Sequence, residues 1–178
     1  MNSHEESCLF GNIECPTWHC MEKLRQGLVV DHLRNFHGSQ EKVLGTSGRA
    51  NWVLKKRRNR DRVPRWNSKI IWFDNRTFFL NASVINQNWT FWVTILGNKQ
   101  LAEMYEVKIV IPRNGDIGVT PAGIWITSKV HSTDVKKEDL VQDHEGILEF
   151  SIDMAFKFSN VDAEGYQRID VSYQILRK

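Results

Sequence analysis

At 178 residues, with 41% hydrophobic and 25% charged side chains, the chain is sized for one ordinary domain or a domain carrying a small module. Its composition excludes disorder, collagen-like repeats and coiled coil. No stretch approaches the ~20 apolar residues that a membrane-spanning helix needs, so no membrane partner is expected.

Residues 1–40 hold all three cysteines and four of the six histidines. The opening, 1–7, is polar and acidic, unlike a secretory signal, and an odd number of cysteines crowded at one end does not make a disulfide framework. A non-secreted protein in a reducing compartment is expected. Leu24, Leu28, His32 and Phe36 fall four apart and predict a short helix. Residues 41–65 read as a polar, basic connector with Gly45, Gly48 and Pro64, in which Asn51, Trp52, Val53 and Leu54 form a possible edge strand. From 66 to 178 the pattern becomes one of strands: 69–73, 77–84, 89–96, 105–111, 124–127, 148–158 and 169–176. Turns at 74–76 and 86–88 separate the first three. Along the last strand Ile169, Val171, Tyr173 and Ile175 share one face, as in a half-buried strand. Many short strands predict a mainly β, antiparallel sandwich. Only 135–143 offers a helix there, too little for the crossovers of a parallel sheet. Seven tryptophans, nine phenylalanines and three tyrosines supply the ring surface such a core uses.

Cys15 and Cys20 are followed by His32 and His37 in the spacing C-x4-C-x11-H-x4-H, close to the two-cysteine, two-histidine zinc pattern. Two thiolates and two imidazoles form a donor set that suits tetrahedral zinc. Four protein ligands close the site, which predicts one structural Zn2+ per chain rather than a catalytic one. Positions five apart diverge by about 140° on a regular helix. His32 and His37 can therefore share a metal only if the last helical turn is distorted, and Gly38 is placed to end it. His19 is a weaker alternative ligand beside Cys20, and Cys8 reads as a buried or free thiol.

No catalytic pattern accompanies the finger. A glycine-rich phosphate loop, G-x-S-x-G and H-E-x-x-H are all missing, so a non-enzyme is expected. His131 and His144 read as exposed loop residues. Asp134, Glu138, Asp139, Asp143 and Glu145 read as a solvated acidic face. Three N-glycosylation patterns, beginning at Asn75, Asn81 and Asn88, read as turn and strand residues.

Lys55, Lys56, Arg57, Arg58, Arg60 and Arg62, with Asp61 among them, form a run of +5 in a chain whose net charge is +3. The remainder is slightly acidic, so the domain is not generally basic. The run reads as a solvated loop, as a nuclear import signal or as a phosphate-contacting patch.

The finger Cys15-Pro16-x3-Cys20-x11-His32-Leu33-x3-His37, followed by strands, resembles the seven-in-absentia family of ubiquitin ligases. The run 92–107, with Lys99-Gln100-Leu101-Ala102-Glu103 at its turn, is similar to a strand, turn and strand of that family, and 147–175 to its last two strands. The resemblance spans about 8–176. It implies a zinc finger (1–40), a connector (41–65) and a TRAF-like β-sandwich (66–178) that dimerises and captures partner peptides by strand addition. The matching docking region is 51–54 with 69–73, lined by Trp52, Leu54, Ile70 and Trp72, unless these four only complete the core. The chain departs from the family in having no cysteine-rich RING. Cys8 matches the last ligand of a first finger whose other three ligands are missing, and the basic run has no counterpart.

The expected function is a non-catalytic protein-interaction adaptor, homodimeric and nuclear, or else cytoplasmic. Two alternatives stand beside it: a nucleic-acid-associated nuclear factor using the finger and the basic run, and a substrate-recruiting subunit acting with a RING protein in trans.

Overall fold

The computed structural model describes residues 11–39, 41–43, 47–54, 66–112, 123–143, 146–161, 163 and 166–178. Cys8, the basic run Lys55, Lys56, Arg57, Arg58, Arg60 and Arg62, and His144 and Glu145 lie outside them.

The chain begins with two short strands, β1 (Asn12–Glu14) and β2 (Lys23–Arg25), paired antiparallel. A single 3-10 turn, Gln26–Leu28, leads into α1 (Val29–His37). Next come β3 (Glu41–Val43), β4 (Ser47–Leu54), β5 (Lys69–Phe73), β6 (Arg76–Ile85) and β7 (Asn88–Ile95). The helix α2 (Lys99–Glu103) joins β7 to β8 (Tyr105–Pro112), which is followed by β9 (Gly123–Lys129), β10 (His131–Ser132) and α3 (Lys137–Asp143). The chain closes with β11 (Ile147–Ser151), α4 (Ile152–Phe158), β12 (Asn160–Val161) and β13 (Gln167–Arg177).

The fold is mainly β, with two mostly antiparallel sheets sharing one core. One sheet runs β3-β5-β6-β7, with β11 and β10 following one another along the outer edge of β7. The other runs β4-β13-β8-β9, with β12 beside the start of β13. Asp74–Asn75 and Asn86–Gln87 close the β5–β6 and β6–β7 hairpins with positive φ at both turn residues. That is the two-residue turn whose twist matches paired strands, and Asn and Asp tolerate it best. Between the sheets Trp52 meets Phe91 and Tyr105 meets Phe78, both edge to face. Phe78, Leu80, Val93, Ile109, Ile169 and Val171 are buried around them, each contributing roughly 1.5–3 kcal/mol.

The β3–β7 sheet is covered on its second face as well. Ile70 and Phe79 point away from the main core into a separate cluster with Ile13, Cys15, Val29 and Leu33. Trp92 likewise packs outward with Leu140 of α3, Ile147 and Trp18. The N-terminal finger and α3 thus form a third layer. Coverage of both faces explains why 77–80 and 89–95 are buried without a break, whereas β8 and β13 alternate.

Four expectations are corrected. The stretch 148–158 is not one strand: Ser151 ends β11 and caps α4, its hydroxyl accepting from the Met154 amide at 3.2 Å. The alternating residues 152–158 are therefore helical, and a serine cap with Asp153 in the first turn favours that outcome. The helix expected over Leu24, Leu28, His32 and Phe36 is shorter, running only from Val29 to His37. Leu24 lies in β2, and Leu28 and Phe36 are 55% and 78% exposed, while Val29 and Leu33 are buried. Residues 41–54 are more than a connector, since they give β3 to one sheet and β4 to the other. His131 is buried in β10 and not an exposed loop residue.

Candidate metal centre

The loop between β1 and β2 carries both cysteines, and short backbone bonds set its shape. The Cys15 amide donates to the Glu22 carbonyl at 2.9 Å, and the Cys20 amide to Thr17 at 3.0 Å. Helix α1 carries both histidines. It ends at Gly38, whose φ of 58° is left-handed, a conformation that costs glycine little. The expected distortion of the last turn is not seen, since the chain is α-helical through His37 and turns left-handed only after it, yet the two imidazoles meet despite their spacing of five.

The four side chains meet. Cys15 Sγ lies 3.4 Å from His37 Nε2, and Cys20 Sγ lies 3.5 Å from His32 Nε2. The two Nε2 atoms are 3.1 Å apart. All four donor atoms fall within 4.8 Å of one another, close enough to bind one metal ion. His19, the alternative ligand, is exposed and outside this cluster. The ring of His32 stacks on Phe36 with centroids 5.1 Å apart, which gives that exposed phenylalanine a local role.

Burial prepares these groups unequally. Cys15 is fully buried, and desolvation pushes its thiol up from 9.0 to about 12. His37 is held below its ordinary 6.5 by burial first, then by His32 and Lys137. It therefore offers a neutral lone pair at neutral pH.

The finger is fastened to the sandwich by polar contacts as well as by its apolar cluster. The Asn67 side-chain amide donates to the His37 carbonyl. Thr17 Oγ1 is 3.2 Å from Ser68 Oγ, which donates at 2.6 Å to Asn81 Oδ1; the Asn81 amide in turn donates to Thr94 Oγ1 at 3.2 Å. Lys137 is buried, and its Nζ donates to the carbonyls of Thr17 at 2.9 Å and Cys20 at 2.6 Å. Neither Asn81 nor Lys137 stood out as a site residue in the sequence. Asn81 reads as part of a glycosylation pattern, and Lys137 sits in a charged stretch 117 residues from Cys20.

The docking residues expected at 51–54 and 69–73 do not share an edge. Trp52 is a core residue of β4, and Ile70 is buried under the finger, with Trp72 half-buried in the same cluster. Leu54 ends β4 opposite Gln167. β5 is flanked on both sides, by β3 and β6. Among the described residues β4 pairs only with β13, so its other side is a sheet edge.

Compared with protein-family models and with curated proteins, the chain matches none.

Proposed function

We propose that the chain is a non-catalytic protein-interaction adaptor, in which a structural zinc ion holds a seven-in-absentia-like finger on a TRAF-like β-sandwich. The observation that carries this reading is the convergence of Cys15, Cys20, His32 and His37. A tetrahedral ion with Zn–N near 2.0 Å and Zn–S near 2.3 Å would separate its nitrogens by ~3.3 Å and a nitrogen from a sulfur by ~3.5 Å. The 3.1 Å between nitrogens and the 3.4 and 3.5 Å between nitrogen and sulfur lie near those separations, and the four atoms together span up to 4.8 Å. With four protein ligands no position is left for substrate or water, which favours a structural ion. When bound, the metal supplies a crosslink between the knuckle and α1; the chain's own residues do the remaining work.

Partner capture is assigned to strand addition along the outer side of β4, which pairs with no other strand among the described residues and could take a new one. Trp52 then supports the strand from the core and does not line a pocket. We read the adaptor as a nuclear homodimer, with the basic run 55–62 as import signal. The test is crosslinking mass spectrometry on the full chain in native cells. Crosslinks from a protein partner to the β4 edge support the adaptor. A second reading rests on the six cations within 55–62: binding to random duplex that weakens steeply with salt and disappears when Lys55, Lys56, Arg57 and Arg58 become alanine would replace the adaptor with a nucleic-acid factor.

A further inference from the structure

Lys137 opens α3, yet only 7% of its surface is exposed. An ammonium has three protons to donate and no lone pair, so burying it is costly unless each proton finds an acceptor. Here the acceptors are three carbonyls of a single loop: Thr17 at 2.9 Å, Trp18 at 3.5 Å and Cys20 at 2.6 Å. That loop carries both sulfur ligands. The strands on either side of it are three residues each, too short to fix a loop on their own. The helix that carries Lys137 is itself anchored, because Leu140 is buried with Trp92 and Ile147.

We propose that Lys137 is the positioning residue of the metal centre: it gathers the knuckle carbonyls from the sandwich side and sets Cys20 for coordination. Metal binding and docking of the finger then become one event, since the same loop conformation serves both. Coupling of this kind is reciprocal, so metal must protect Lys137 as strongly as Lys137 favours metal. A purely apolar contact would seat α3 against the finger without ordering carbonyls. This inference rests on the zinc reading above.

The experiment uses the full chain. Zinc affinity is measured by competition with a chromophoric chelator, and Co2+ is substituted to read thiolate charge-transfer and d–d bands. Lys137→Met and Lys137→Gln are expected to lose about 10- to 100-fold in affinity, the usual effect of removing a group that orients a ligand, and to shift the cobalt bands. Lys136→Met removes the neighbouring exposed cation without touching a knuckle carbonyl or the packing of α3, and should stay within about threefold of wild type. Lys137 variants that keep full affinity and an unchanged spectrum would overturn the proposal, as would an equal loss in Lys136→Met. Should the Lys137 variants fail to fold, amine labelling of the wild type decides. Lys137 should resist acylation with zinc bound and react like exposed Lys136 once zinc is chelated. Equal protection in both states overturns the proposal while leaving the zinc site standing. A wild-type chain that binds neither zinc nor cobalt overturns the site and the inference together.

Discussion

The indole of Trp52 meets the ring of Phe91 edge-on, with centroids 5.3 Å apart and planes at 70°, so β4 is pinned to the opposite sheet by its largest side chain. Trp52 is only 3% exposed. Trp52→Ala is therefore expected to cost ~3–5 kcal/mol of stability through lost burial and the cavity left behind. Chemical denaturation should register that loss, with affinity per folded molecule for any captured peptide unchanged. A near-wild-type midpoint combined with a large affinity loss would return Trp52 to the partner surface.

The metal prediction concerns stoichiometry and its consequence for the sheet. Elemental analysis should find one zinc per native chain, and Cys20→Ser or His32→Ala should lower it well below one. Structural zinc in finger peptides contributes on the order of 10 kcal/mol of apparent binding free energy. Ile70 and Phe79 lie under the finger, so metal loss should also bare an apolar face of the β3–β7 sheet. Increased binding of a hydrophobic dye by either mutant checks this; dye binding equal to wild type would mean the finger stays docked without metal.

Metal affinity should depend on pH in a direction fixed by Cys15. Its thiol is pushed up to about 12 by burial, so coordination at neutral pH must release that proton. Affinity should fall at least about tenfold for each unit of acidification on this account alone. Without metal the sign reverses. A folded value above the unfolded 9.0 stabilises the metal-free chain below about pH 9, and that contribution is lost as pH rises from there towards 12. Chelator competition across neutral pH, with alkaline unfolding of the stripped protein, measures both limbs.

Ser151 marks where a strand becomes a helix. Its hydroxyl accepts from the Met154 amide, and Ala155 behind it is fully buried. Ser151→Ala should cost ~1 kcal/mol, with recovery by aspartate at the same position. Urea denaturation of the two variants is the measurement, and equal midpoints for alanine and serine would remove the cap from the account.

The convergence of the four cysteine and histidine side chains was legible in the sequence because sequence spacing is itself local geometry. Two cysteines on a tight knuckle and two histidines on a helix that ends in glycine specify one small volume, and Cys15, Cys20, His32 and His37 occupy it. The hairpins were legible for the same reason, since Asp74–Asn75 and Asn86–Gln87 announce their turns through residues that accept positive φ. Periodicity located most strands but misled at 152–158, where an alternating run was captured as α4 by a single capping serine. Position in the layers was decided only by tertiary structure. Nothing local separates Trp52, which faces the main core, from Ile70, which faces the finger, because both are apolar residues of strands. The burial of Lys137 and the anchoring of Thr17 on Ser68 depend on partners 51 to 120 residues away. Such contacts form only once a third layer covers the sheet. Desolvation on both of its faces then selects which polar groups must find one another.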